Sequence, residues 1–148
     1  MSYIKKSNII KKVHSNIETS ISSQLANNTY TTITGSDAAY EPHEDANFIV
    51  YEYTFVSHSN SSNHHNLFLA FVYDTGGSET VQEYLGLADG YNDGHYIFKA
   101  KFLVPAYSGS RNWKLKFRSN NTGNWFPRLH EDEDGNVFYP TLLIYSIT

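Results

Sequence analysis

The sequence contains no cysteine, which excludes a disulfide framework, a thiolate metal site and a thiol nucleophile together. No window reaches the ~20 consecutive apolar residues of a membrane-spanning helix. The first residues, Met1 to Asn16, hold four lysines and scattered apolar residues, not the run of ~7 to 15 that a signal peptide needs behind its charges. The expectation is a soluble chain suited to a reducing cytoplasm, with no membrane contact. Positive charge is also scarce: a net charge of −4 argues against a general nucleic-acid binder, which would show a basic body. No Walker loop, dinucleotide fingerprint or G-x-S-x-G nucleophile elbow occurs. With no catalytic constellation in view, the expectation is a binding or assembly module that is not an enzyme and takes no cofactor.

What is abundant is aromatic: 12 Tyr and 9 Phe bring the aromatic share to 16%, and that bias favours sheet over helix. Strict alternation marks strands at Asn47 to Ser57, His65 to Asp74, Thr80 to Leu87, His95 to Val104, Arg111 to Ser119 and Val137 to Ile147. Weaker segments lie at Ser7 to Val13, Asn16 to Ser22 and Thr29 to Thr34. Turn-forming stretches such as Thr75-Gly76-Gly77-Ser78 separate them, and no segment shows the 3.6-residue helical period. About eight strands with regular turn signals describe an all-β antiparallel jelly-roll sandwich. Residues 1 to 16 carry four of the 11 basic residues and no acid. They read as an extended basic arm in front of one domain at 17 to 148.

Two strands show where the cations go. Tyr96, Phe98, Ala100, Phe102 and Val104 share a face opposite Lys99 and Lys101, and Trp113, Leu115 and Phe117 share one opposite Lys114, Lys116 and Arg118. Joined by the short connector Pro105 to Ser110, the two strands are expected to be neighbours in one sheet, with all five cations on its outer face. That face is either a solvated surface balanced by acids on a third strand or a patch for an acidic partner.

Asn47 to Ser57 and His65 to Asp74 are apolar on both faces, which an isolated sandwich would leave partly wet. Tyr51, Tyr53, Phe55, Phe68 and Phe71 are therefore expected at an interface with further copies of the chain. The competing explanation is that the N-terminal segment folds back over them. Trp113 lies on an apolar face and reads as core, whereas Trp125 and Phe126, in the loop Asn120 to Pro127, are candidates for contact with a ligand such as a host glycan.

Other chemistry weighs less. Glu131-Asp132-Glu133-Asp134-Gly135-Asn136 puts His130 and Thr141 where a calcium loop needs carboxylates, and reads as a turn before the last strand. His58, His64 and His65 surround one polar loop, where adjacent His64 and His65 would point to opposite faces; three or four oriented ligands are needed for a metal. Glu52 with Glu79 or Glu83 offers a carboxylate pair that any acidic β protein can supply.

Phe48-Ile49-Val50-Tyr51-Glu52-Tyr53-Thr54-Phe55, Leu67-Phe68-Leu69-Ala70-Phe71, Trp113-Lys114-Leu115-Lys116-Phe117-Arg118 and the closing Tyr139 to Ile147 together resemble small jelly-roll virion proteins of tailed phages, especially marine ones. The layout is also similar to trimeric jelly rolls of the complement and tumour necrosis factor type. The resemblance covers about Tyr30 to Thr148 and rests on pattern. It implies a homotrimer on a virion, either a head decoration or cement protein bound to the major capsid protein or the tip of a fibre. Lys5, Lys6, Ile9, Ile10, Lys11 and Lys12 would then anchor the arm to the capsid.

Overall fold

The computed structural model describes residues 10–17, 24–25, 28–59, 66–88, 94–119, 128–131 and 134–148. Every regular element among them is a β-strand. The strands are β1 (Ile10–Ile17), β2 (Gln24–Leu25), β3 (Thr31–Thr32), β4 (Ala38–Tyr40), β5 (Phe48–Ser59), β6 (Asn66–Asp74), β7 (Glu79–Ala88), β8 (Gly94–Pro105), β9 (Arg111–Ser119), β10 (Arg128–Leu129) and β11 (Thr141–Ile147). They form two antiparallel sheets. In the first, β1, β11, β5 and β8 lie side by side, with β10 and β2 extending the far end of β5. In the second, β3 and β4 flank β9, followed by β6 and β7.

Apart from the β6–β7 hairpin, the long strands switch sheets at each connection: β4 to β5, β5 to β6, β7 to β8 and β8 to β9 all cross from one layer to the other. The hairpin is set by Asp74, whose Oδ1 accepts hydrogen bonds from the amides of Gly76 at 2.6 Å and Gly77 at 2.8 Å. Gly76, at φ +110°, takes a backbone conformation that side chains disfavour. Those amides hold the exposed Asp74 carboxyl below its ordinary pKa.

The core is a stack of rings between the sheets. Phe71 of β6 lies nearly parallel to Phe102 of β8 at 4.2 Å and to Trp113 of β9 at 4.7 Å, with Tyr51 of β5 at 4.8 Å. Aromatic side chains supply the length to span the ~10 Å between packed sheets. Each buried tyrosine hydroxyl here finds a partner: Tyr51 donates to the Ser36 carbonyl, Tyr53 to the Thr34 carbonyl at 2.6 Å, and Tyr40 shares a bond of 2.7 Å with Ser146 Oγ. Burial pushes the Tyr51 phenol well above its usual pKa.

Four sequence expectations change. Tyr51, Tyr53, Phe55 and Phe71, assigned above to an interface between copies, are buried inside this chain's own core; alternation told that these rings share a face, but not that the face looks inward. Phe68 alone of the five points outward and is half-buried. Next, β8 and β9 are in different sheets, because the connector crosses the sandwich instead of turning back, so the five cations divide between two opposite surfaces. Finally, residues 10 to 16, read as part of a free arm, lie in β1, whose backbone pairs with β11 from Ile10 opposite Ile147 to Ile17 opposite Thr141. Ile10, Lys11 and Lys12 thus sit in the sandwich, and Lys5, Lys6 and Ile9 lie outside the described residues. The last strand also starts later than alternation indicated: Val137 makes an isolated bridge to Glu131, and regular pairing begins at Thr141, after Pro140.

Candidate interaction surfaces

The outer face of the first sheet mixes apolar and charged groups. Phe48 and Val50 of β5 stand beside Pro105 and Leu103 of β8, with Ile147 and Tyr145 of β11 on the other side. Lower down the strand, Glu52 accepts from Lys99 at 2.8 Å, from Lys101 at 2.9 Å and from the Tyr145 hydroxyl at 3.2 Å. The two ammonium groups, Lys99 first, bring its carboxyl pKa down to about 2. One acid thus ties up both lysines of β8 and offsets the like-charge repulsion that their spacing creates. What remains open is greasy: Ile97 is 77% exposed, Leu103 59%, Ile10 56% and Phe48 40%.

The outer face of the second sheet repeats the device. Glu79 of β7 reaches across to Lys114 at 2.7 Å and Lys116 at 2.5 Å, and its carboxyl pKa is lowered by the pair. The fifth cation, Arg118, is treated differently. Its guanidinium carbon lies 4.7 Å from the Phe68 ring centre and 5.1 Å from that of Tyr30. Tyr30 in turn meets Tyr84 of β7, with ring centres 5.9 Å apart. Since Glu52 and Glu79 occupy opposite outer faces, they form no carboxylate pair across a substrate.

At one end of the sandwich the segments 41–46 and 106–109 enclose a cleft of about 510 Å³, lined by Glu41, His43, Glu44 and Tyr107 among others. Its Tyr107 and His43 are engaged in holding the loops. The Tyr107 hydroxyl donates to the Tyr40 carbonyl at 2.8 Å and accepts from Trp113 Nε1 at 2.5 Å, while Arg111 covers the Tyr107 ring at 4.0 Å. Burial pushes the Tyr107 phenol up to about 12. His43 Nδ1 accepts from the Asp45 amide at 3.2 Å.

Of the histidines, His64 and His65 lie outside the described residues, and His58 is buried in β5. His130, met in the sequence only as a misfit where a calcium ligand belongs, is fully buried, adopts φ +67°, and neither ring nitrogen has a hydrogen-bond partner among the described residues. Burial brings its pKa down to about 4. No group of three metal-ligating side chains occurs among the described residues. Of the acidic run, Asp134 lies in a turn, Gly135 takes φ +81° and Glu131 is paired to Arg128 at 3.2 Å; Asp132 and Glu133 are outside the described residues. Trp113 is in the core as expected. Trp125 and Phe126 also lie outside the described residues.

No protein-family model and no curated protein matches the sequence. Among solved structures, a chain of infectious bursal disease virus, Gx strain, is similar at a TM-score of 0.52 and 13% identity, covering 91% of this chain and 36% of that one. The fold is a jelly roll. What the two chains share at that identity is architecture, and this chain spans little more than a third of its solved counterpart.

In jelly-roll terms the four-strand layers are β1-β11-β5-β8 and β4-β9-β6-β7, so β1 is the opening strand of the sandwich itself. The residues that matter most on the outer faces were partly visible in the sequence. Ile97, Lys99, Lys101 and Leu103 alternate with the core residues of β8, and that pattern already put two large apolar groups beside two cations. Tyr30 and Tyr84 gave no such signal, since their meeting depends on strands that are not adjacent.

Proposed function

We propose that this chain is a non-enzymatic virion structural protein, most specifically a homotrimeric head decoration or cement protein of a tailed phage, located on the particle. The observation that carries the proposal is the exposed apolar outer face of the first sheet, on a jelly roll similar in fold to a chain of a virus structure. β5 and β8 are 12 residues long, β1 is 8 and β11 is 7, so at ~3.4 Å per residue and ~4.8 Å between strands their shared face covers ~640 Å². That lies at the lower end of the ~600–1,000 Å² per partner of a standard stable interface. Ile97, Leu103, Phe48 and Ile10 replace the ring residues first assigned to the interface. The neutralised Glu52 cluster adds a polar centre that is already satisfied before a partner arrives.

The residues before β1, including Lys5, Lys6 and Ile9, keep the role of contacting the acidic surface of a neighbouring capsid subunit. Native mass measurement and particle proteomics test the proposal together. An oligomer that Leu103→Lys with Ile97→Lys converts to a folded monomer, and recovery of the chain from purified virions in stoichiometric amount, are the expected results. A wild-type monomer at high concentration that is missing from particles defeats it.

A further inference from the structure

A strand at the end of a sheet presents a row of unpaired N–H and C=O groups, and soluble proteins keep such edges short, bulged or charged. Among the described strands the edges follow that rule with one exception. β2, β3 and β4 are two or three residues long. The register of β1 against β11 shifts between Ile10 and Val13, and that of β7 against β6 shifts where Gln82 is the extra residue between Val81 and Glu83, so both of these edges carry a bulge. β8 has neither device. It pairs with β5 over all 12 residues from Gly94 to Pro105 with no shift in register, and no second strand flanks it among the described residues.

Lysine is a common guard of an open edge, and the outer face of β8 carries two. Both are drawn away from it: Lys99 and Lys101 hold Glu52 of β5, on the paired side of β8. What stands beside the open edge is apolar. Ile97 and Leu103 are the exposed apolar side chains of the outer face of β8. Inward, between β7 and β8, lies a pocket of about 290 Å³ lined by Leu69, Leu85, Phe98 and Ala100 beside the two lysines.

We propose that the edge of β8 pairs antiparallel with β8 of a second copy about a two-fold axis at Ala100, so that the first sheet runs on from one copy into the next. Residues directly opposite each other in such a pair share a face, which leaves two registers that overlap all but one of the 12 residues, centred on Lys99 or on Ala100. Centred on Lys99, that lysine faces its own counterpart and Ile97 faces Lys101 of the second copy. Centred on Ala100, Ile97 faces Leu103 of the second copy, and both apolar groups are covered. Register follows the apolar match, which selects Ala100. Lys99 then stands beside Lys101 of the second copy, but each pair of lysines shares Glu52, so one net positive charge per copy remains. Against that small repulsion the overlap forms about ten backbone hydrogen bonds, roughly one per residue, as many as an ordinary protein interface carries. The small side chain of Ala100 brings the pockets of the two copies together at the axis, where pairing shuts them off from water. The contact lies in the plane of the sheet, whereas the assembly proposed above uses its outer face, so it goes beyond that reading and is tested apart from it.

The chain has no cysteine, so introduced thiols report the register directly. Ile97→Cys combined with Leu103→Cys is expected to give, on oxidation with copper phenanthroline, a covalent dimer whose disulfides join position 97 of one copy to position 103 of the other. Within one strand those positions lie ~20 Å apart, too far to bridge. Ile97→Cys alone and Leu103→Cys alone are expected to stay uncrosslinked, because each thiol lies as far from its own counterpart across the axis. In the wild type, hydrogen exchange at the amides of β8 is expected to slow several-fold as protein concentration rises, while β6, paired on both sides, keeps its rates. No covalent dimer from the double variant, single variants that cross-link as readily, or β8 exchange that ignores concentration would each overturn the proposal.

Discussion

Phe71 is the residue on which an interface and a core make opposite demands. Its ring is fully buried and contacts Phe102, Trp113 and Tyr51 at centre distances of 4.2, 4.7 and 4.8 Å. Phe102 and Tyr51 belong to the opposite sheet, so the ring is a tie between layers. Truncating a buried Phe to Ala costs ~3–5 kcal/mol, and aromatic pairs add ~0.5–1.5 kcal/mol each beyond the area they bury. Because the ring bridges two sheets, the upper half of that range is expected, ~4–5 kcal/mol. Against a total of ~5–15 kcal/mol for a whole domain, Phe71→Ala removes about a quarter of the stability or more, and Phe71→Leu, which keeps most of the volume and loses the stacking, ~1–2 kcal/mol. Urea unfolding followed by near-ultraviolet circular dichroism measures both, with native mass recorded on the folded fraction. The core assignment predicts a lower unfolding midpoint in each variant and the same native mass as the wild type in whatever remains folded. A Phe71→Ala protein that loses less than ~1 kcal/mol and falls apart into stable monomers would refute it.

Three further expectations follow from the charges and the strand order. Glu52 has a pKa brought down to about 2 from 4.5, so its ion pairs stabilise the fold fully above pH 4.5 and that contribution is lost as the pH falls toward 2. With Lys99 and Lys101 60% and 57% exposed, solvent screening limits the effect to ~1–2 kcal/mol, and Glu52→Gln should flatten the urea midpoint in that window. His130, at about 4 instead of 6.5, likewise contributes fully above pH 6.5. Its contribution disappears as the pH drops from 6.5 to 4, by ~3 kcal/mol at ~1.4 kcal/mol per unit; His130→Asn, which tolerates positive φ, should remove the slope in a pH series of unfolding curves. Deletion of residues 1 to 9 should leave thermal stability near that of the intact chain, whereas deletion through Ile17 strips β1 from β11 and should lower the melting temperature by several degrees, read by calorimetry.

The long strands were legible because nine or more residues of alternation leave little ambiguity about period, and β5 to β9 match their expected spans closely. The two- and three-residue strands β2, β3, β4 and β10 are too short to display a period. Which strands share a sheet was not legible. Six residues from Pro105 to Ser110 suffice both for a turn within one sheet and for a crossing of the ~10 Å between sheets, and alternation is silent on the choice. That one ambiguity misplaced the cations. The doubly apolar look of β5 has a similar cause: Val50 and Val56 face outward yet are 4% and 7% exposed, sheltered by their neighbours in a central strand. Of the candidate sites, the apolar and cationic outer face of β8 was readable from spacing alone.

The pairing of β1 with β11 has a temporal consequence. The first sheet joins strands more than a hundred residues apart in the chain, and its centre, β5, cannot acquire one of its two main neighbours until Thr141 to Ile147 has been made. During synthesis the hairpin β6–β7 can form early, but the half of the molecule proposed to meet its neighbours stays unassembled until β11 has been made. Closing such distant contacts is slow compared with local ones. The self-association proposed for that sheet would thereby be deferred until translation has passed β11, which would keep nascent chains on one messenger from joining before each is folded.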